Sequence, residues 1–184
     1  MEIKITTQHI LKIIYALAWI IFIGICIELG GFIFNTFFSL FINPEGAQHF
    51  WKETNLATLL KNSTSHFVSI TSLMIIATGL KALLFYLIVK LLYDKKLSLA
   101  QPFNKDVCRF IFNFMYITFG IGLFSLWGAN YTNWLLAQDI PMPSLEELKF
   151  GGADVWLFMG VVLLVLAHIF KRGIELQEEN ELTI

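Results

Sequence analysis

The sequence is short of charge, of cysteine, and of every complete catalytic motif. Charged residues make up 15% of the 184 residues, where a soluble domain carries about 25%. That shortage excludes an ordinary water-soluble globule. With 57% hydrophobic residues, 18 Phe and a mean hydropathy of +0.68, the chain has more apolar surface than a core of this size hides. Only two cysteines occur, Cys26 in an apolar stretch and Cys108 beside Arg109, which excludes a disulfide framework. Both read as small apolar side chains of membrane helices. The histidines, His9, His49, His66 and His168, show neither HExxH nor a paired spacing, so no metal site is expected. There is no nucleophile–base set and no phosphate loop. An enzyme is therefore the last of the functional classes, with no catalytic residue and no cofactor expected. The formal net charge of -1 and the lack of a basic face exclude direct nucleic-acid binding.

What the chain does have is long hydrophobic runs. A membrane-spanning helix needs about 20 mostly apolar residues. Four stretches qualify, at about 10–42, 67–93, 107–137 and 153–173. In lipid the backbone must satisfy its own hydrogen bonds, so each should be a helix. The expected fold is all-α, an integral membrane four-helix bundle in one domain, 1–184, with a tail over 174–184. Lys4 and Lys12 ahead of the first run imitate a secretory signal, but the run is too long and reads as a retained helix. Gly30-Gly31 is a candidate bend in it.

Lysine and arginine orient the bundle. Placing both termini in the cytoplasm puts Lys4, Lys12, Lys90, Lys95, Lys96, Lys105, Arg109, Lys171 and Arg172 inside, and Lys52, Lys61 and Lys149 outside. Nine against three is the positive-inside pattern. The outer connection 43–66 carries Trp51, Leu56, Leu59 and Leu60 and predicts a short amphipathic helix. The other, 138–152, contains Ser144-Leu-Glu-Glu147, which fits a capping box.

Three ionisable residues fall within the apolar runs: Glu28, Lys81 and His168. A charge at bilayer depth costs about 3 kcal/mol on insertion scales, so each needs a partner, water or a neutral form. Glu28 lies 16 residues after Lys12, roughly 24 Å along a helix, and Lys81 lies nine before Lys90, roughly 13 Å. Direct pairing thus requires the two helices to be offset by about two turns. The alternatives are a wet crevice at Glu28 and inward snorkelling of Lys81. His168, three residues before Lys171, reads as an interfacial histidine bonded to a neighbour. Asn113, Asn130, Asn133, Ser69, Thr71, Ser72 and Thr78 are either glue between helices or the edge of a polar path.

The chain ends "HIFKRGIELQEENELTI". Lys171 and Arg172 mark the headgroup layer. Glu175, Glu178 and Glu179 follow and are repelled by anionic lipid, which sends them into the cytosol or onto a basic partner. Leu182 and Ile184 add apolar contacts. The bland alternative is that these glutamates face Lys95, Lys96 and Lys105 of the chain's own inner connection. The stretch "GIELQEENELTI" resembles the C-terminal signature of the YoaS-like family, small bacterial membrane proteins of four helices with a domain of unknown function. The resemblance implies a multi-pass protein of the bacterial cytoplasmic membrane. It also suggests coupling to a helix-turn-helix transcription factor. Two readings compete: a sensor or regulator that binds a cytoplasmic protein, and a small transporter or channel subunit with a polar site around Glu28 and Lys81. The expected surroundings are the lipid bilayer and a cytoplasmic protein partner, with homo-oligomerisation left open.

Overall fold

The computed structural model describes residues 7–52, 54–94 and 104–181, the side chains of 7, 8, 180 and 181 excepted. Lys4, Lys95, Lys96, Leu182 and Ile184 lie outside it. Five α-helices follow in order: α1 (Thr7–Phe41), α2 (Ala57–Asn62), α3 (Thr64–Tyr93), α4 (Lys105–Leu136) and α5 (Ala153–Glu181). A 3-10 turn over Pro44–His49 precedes α2. No strand occurs among the described residues. The fold is all-α, with α1, α3, α4 and α5 each long and apolar enough to cross a membrane.

The helix starts are written in short polar side chains. The Ser63 hydroxyl accepts the His66 N–H at 3.4 Å and caps α3. The Asn104 side-chain Oδ1 accepts the Val107 N–H at 2.8 Å and caps α4, with Asp106 in its positive first turn. Asn43 accepts from Glu45 N–H at 2.9 Å and Pro44 sits at the first position of the 3-10 turn.

The long helices pack in chain order, α1 on α3, α3 on α4 and α4 on α5; α1 and α5 share no close backbone contact. In the most apolar window of α1 only 6% of residues are buried within the chain, and in that of α5 11%, against 39% for α3. Ile13, Ile20, Ile27, Phe34 and Phe41 recur every seven residues along one exposed line of α1. Such a line is the kind of surface that a bilayer or another apolar surface covers.

The described core lies mainly at one end. The two long connections, between α1 and α3 and between α4 and α5, fold over the helix ends and bury Phe50, Leu56, Leu148 and Phe150 against Phe32 and Phe67. We refer to this as the capped end, and to the opposite one, where α5 finishes, as the tail end. Close approach needs glycine at several points. A Cβ on Gly31 would collide with the Trp51 ring. One on Gly128 would lie 2.5 Å from the Phe150 ring, and one on Gly160 2.9 Å from Phe119. The last is a crossing of α4 and α5, where a small residue lets membrane helices pack closely. α1 runs through Gly30-Gly31 as unbroken helix, and Gly31 serves as the seat for Trp51.

The expected amphipathic helix in 43–66 is α2, with Leu59 buried. At Ser144–Glu147 a turn forms in which the Ser144 hydroxyl accepts the Glu147 N–H at 3.3 Å and donates to its carboxylate at 3.0 Å. The tail expected over 174–184 is no separate segment as far as it is described, because α5 continues to Glu181.

Candidate functional site: a charged cluster at the capped end

Glu28 projects from α1 toward the connection between α4 and α5. Its carboxylate pairs with the Lys149 ammonium at 3.1 Å, and the two side chains are 19% and 32% exposed. Lys81 of α3 donates to the Lys149 carbonyl oxygen at 3.0 Å and lies 6.0 Å from the centre of the Trp156 ring on α5. Four parts of the chain thus meet at one point, and Lys149 supplies both its side chain and its backbone. In this half-buried setting the Glu28 carboxylate offsets the desolvation of two ammonium groups that repel each other, and they in turn offset its own.

Local folding aims Lys149. The Phe150 N–H reaches back to the Leu145 carbonyl at 2.8 Å and the Lys149 N–H to that of Glu146 at 3.1 Å. This is the Schellman pattern, which closes a helical turn and asks for a left-handed residue at the position Lys149 occupies. Its φ is +64°. Glycine is the usual occupant, and a lysine there costs about 1 kcal/mol of backbone strain. The same closure ends α4, where Ile140 N–H bonds Leu135 O at 3.2 Å and Asp139 takes φ +60°. Strain held at a residue that joins two charged contacts is a common sign of a functional position.

Sequence reasoning singled out Glu28 and Lys81 and missed Lys149. The direct Glu28–Lys81 pair is replaced by Glu28–Lys149. The offset of about two turns that a Glu28–Lys81 approach requires is present between α1 and α3. Phe22 meets Tyr86 with ring centres 6.2 Å apart, and a Cβ on Gly79 would lie 4.0 Å from the Leu29 side chain. Both contacts keep one antiparallel register, which sets Glu28 level with Leu80, next to Lys81. Lys12 lies deeper toward the tail end than Lys90, so the two could not serve as a common zero of depth. Lys81 reaches the capped end instead of snorkelling the other way.

The remaining candidates are dispersed. His168 shares a hydrogen bond with the Leu164 carbonyl of its own helix at 2.9 Å and packs against Phe112. No group of three or more potential metal ligands occurs among the described residues. Asn113, Asn130, Asn133 and Ser72 are exposed on the outside of the helices, while Thr71 donates to its own helix at Phe67 O, 2.9 Å away. Near the capped end His66 Nδ1 bonds the Tyr131 hydroxyl at 2.7 Å and fixes α3 to α4. At the tail end Lys105 of α4 pairs with Glu178 of α5 at 2.7 Å. Arg172 pairs with Glu175 at 3.1 Å and approaches Glu179 at 3.8 Å. The expectation that the tail's glutamates face the inner connection therefore holds for Lys105; Lys171 is exposed beside it.

Fold and site define a class: an all-α protein with four helices of membrane-spanning length and a charged cluster at one end. The chain belongs to the DUF2975 family of proteins of unknown function, which it matches over residues 42–184. Lys81, Lys149, Trp156 and the tail lie within the matched stretch; Glu28 lies before it. Comparison with curated proteins and with solved structures finds no match.

Proposed function

We propose that this protein is a multi-pass regulator of the bacterial cytoplasmic membrane, sensing at the capped end and acting on a cytoplasmic protein at the tail end. The observation that carries this reading is α5. It runs unbroken for 29 residues, from just after Lys149 to the acidic tail. A helix of that length spans roughly 43 Å and passes on a tilt or rotation as a rigid rod. Its first turns hold Trp156 beside Lys81, and its last turns carry Glu175, Glu178 and Glu179. The Lys105–Glu178 pair is 77% and 52% exposed on its two sides. Pairs so exposed contribute about 0–1 kcal/mol, so a basic partner can displace Lys105 at little cost. A helix-turn-helix transcription factor is the partner that the C-terminal resemblance suggests. The transporter reading has less support, because Asn113, Asn130, Asn133 and Ser72 are exposed on the outside of the helices and Thr71 bonds to its own helix.

Orientation is tested by thiol labelling of intact cells. With both termini cytoplasmic, a cysteine at Glu146 or Lys52 should react with an impermeant reagent and one at Glu179 should not. The opposite pattern would invert the assignment. Partner capture from native membranes tests the tail. Removing residues 174–184 should leave the bundle folded and abolish capture, and reversing Glu178 and Glu179 to lysine should weaken it less as salt rises. Identical partners for intact and shortened chains would remove the binding site from the account.

A further inference from the structure

The exposed line of α1, Ile13, Ile20, Ile27, Phe34 and Phe41, has a companion three residues on: Ala16, Ile23, Gly30 and Phe37 are exposed as well. Steps of three and four alternate along the two rows, the a and d spacing of a helix that packs on another through a heptad seam. The row four residues on is no alternative, because Gly31 in it is already filled by Trp51. Around Gly30 the space is open, with nothing packed within 4 Å of where a Cβ would lie. Neither row carries a charge.

The seam is too long for lipid to cover alone. Phe41 lies 28 residues after Ile13, roughly 42 Å along the helix, against a hydrocarbon core of about 30 Å. On α5 the apolar stretch between Asp154 and Lys171 spans 17 residues, roughly 26 Å, and fits that core. Fitting α1 by tilt would take about 45°, outside the roughly 0–40° of membrane helices. Markers on the neighbouring helices agree. In the register that sets Glu28 level with Leu80, Lys90 is level with Ala18, so Ile13 lies beyond the headgroup marker on α3. The same register sets Phe41 level with Phe67, next to His66, which bonds Tyr131. There α4 exposes Asn130 and Asn133, while Phe41 is 73% exposed. An apolar line that runs past both polar markers calls for a protein surface.

We propose that α1 pairs in parallel with α1 of a second copy of this chain through these two rows. Copies inserted in one orientation present the same seam, equally long and at the same depth, so each overhanging end meets its own counterpart. A two-fold axis along the membrane normal makes the surface self-complementary. Ala16 and Gly30 let the two backbones approach, and Ile20, Ile23 and Ile27 interlock between them. The pairing does not depend on the regulator reading, since it involves neither the charged cluster nor the tail.

The test uses the full chain in native membranes and in liposomes. Cysteines are placed singly at Ile20, Ile23 and Ile27 on the seam, and at Ile14 and Ile21 beside it, in a chain whose Cys26 and Cys108 are alanine. All five positions are exposed, so lipid alone would treat them alike. Oxidation should join the seam cysteines into covalent dimers at least about fivefold faster than the flanking ones. Single-molecule photobleaching in liposomes should count two copies per particle. Gly30→Leu puts a bulky side chain where one copy alone has room, so thermal stability should hold while dimerisation weakens about tenfold. Ile21→Ala should leave dimerisation unchanged. Equal joining at seam and flank, or any count other than two, overturns the proposal. So does a Gly30→Leu chain that pairs like the parent, or one that fails to fold, since the space at Gly30 would then be filled from within the chain.

Discussion

Phe150→Ala should cost the folded chain about 3–5 kcal/mol, the range for deleting a buried aromatic ring. Phe150 is 1% exposed and its ring rests on Gly128 of α4. It follows Lys149 directly, so it anchors the backbone whose left-handed residue faces Glu28 and Lys81. Losing the ring should therefore loosen the connection as well as the core. Gly128→Ala attacks the same contact from the other side, because the new methyl would meet a rigid ring at 2.5 Å. Overpacking of this kind costs about 1–3 kcal/mol. In the double variant the alanine at 128 should cost almost nothing further, since the ring it struck is gone. Unfolding of the four proteins in mixed micelles measures this. Additive losses would mean that the two residues do not share a contact.

Glu28→Gln should destabilise the protein by about 1–3 kcal/mol, below the 3–5 of a fully buried pair because both side chains keep some exposure. The loss comes mainly from Lys149, which would keep its charge without its partner. Lys149→Met should restore most of the stability in the Glu28→Gln background. Lys81→Met should restore less, because Lys81 bonds the Lys149 carbonyl and is not the partner in the close ion pair. The opposite ranking of the two rescues would reinstate a direct Glu28–Lys81 pair.

The helices were legible in the sequence because bilayer thickness and backbone satisfaction leave little choice once runs such as 67–93 and 153–173 are seen. Glu28 and Lys81 were legible for the same reason, as charges where charge is costly. Lys149 was not. It lies in a polar connection where a lysine raises no question, and its importance comes from a left-handed turn that sends its side chain onto α1. The Ser144–Glu147 capping pattern was the available signal, since a turn begun at Ser144 has to close near residue 149. The relative depth of α1 and α3 was hidden too. It is set by the seats of Phe22 and Leu29 on α3, which lysine positions do not encode. The end of α5 was placed too early because Lys171 and Arg172 mark a headgroup layer, and a helix is free to run on past it.

The central claim is that the charged cluster and the tail are coupled through α5. The most direct measurement is the rate at which a short bifunctional thiol reagent joins cysteines placed at Lys105 and Glu178, in a chain whose Cys26 and Cys108 are alanine. That rate reports the setting of α5 against α4 at the tail end. The account predicts that adding Glu28→Gln, at the far end of the molecule, changes the rate at least about threefold, and that Lys149→Met returns it toward the starting value. Equal rates in all three chains, each shown to be folded, would contradict it.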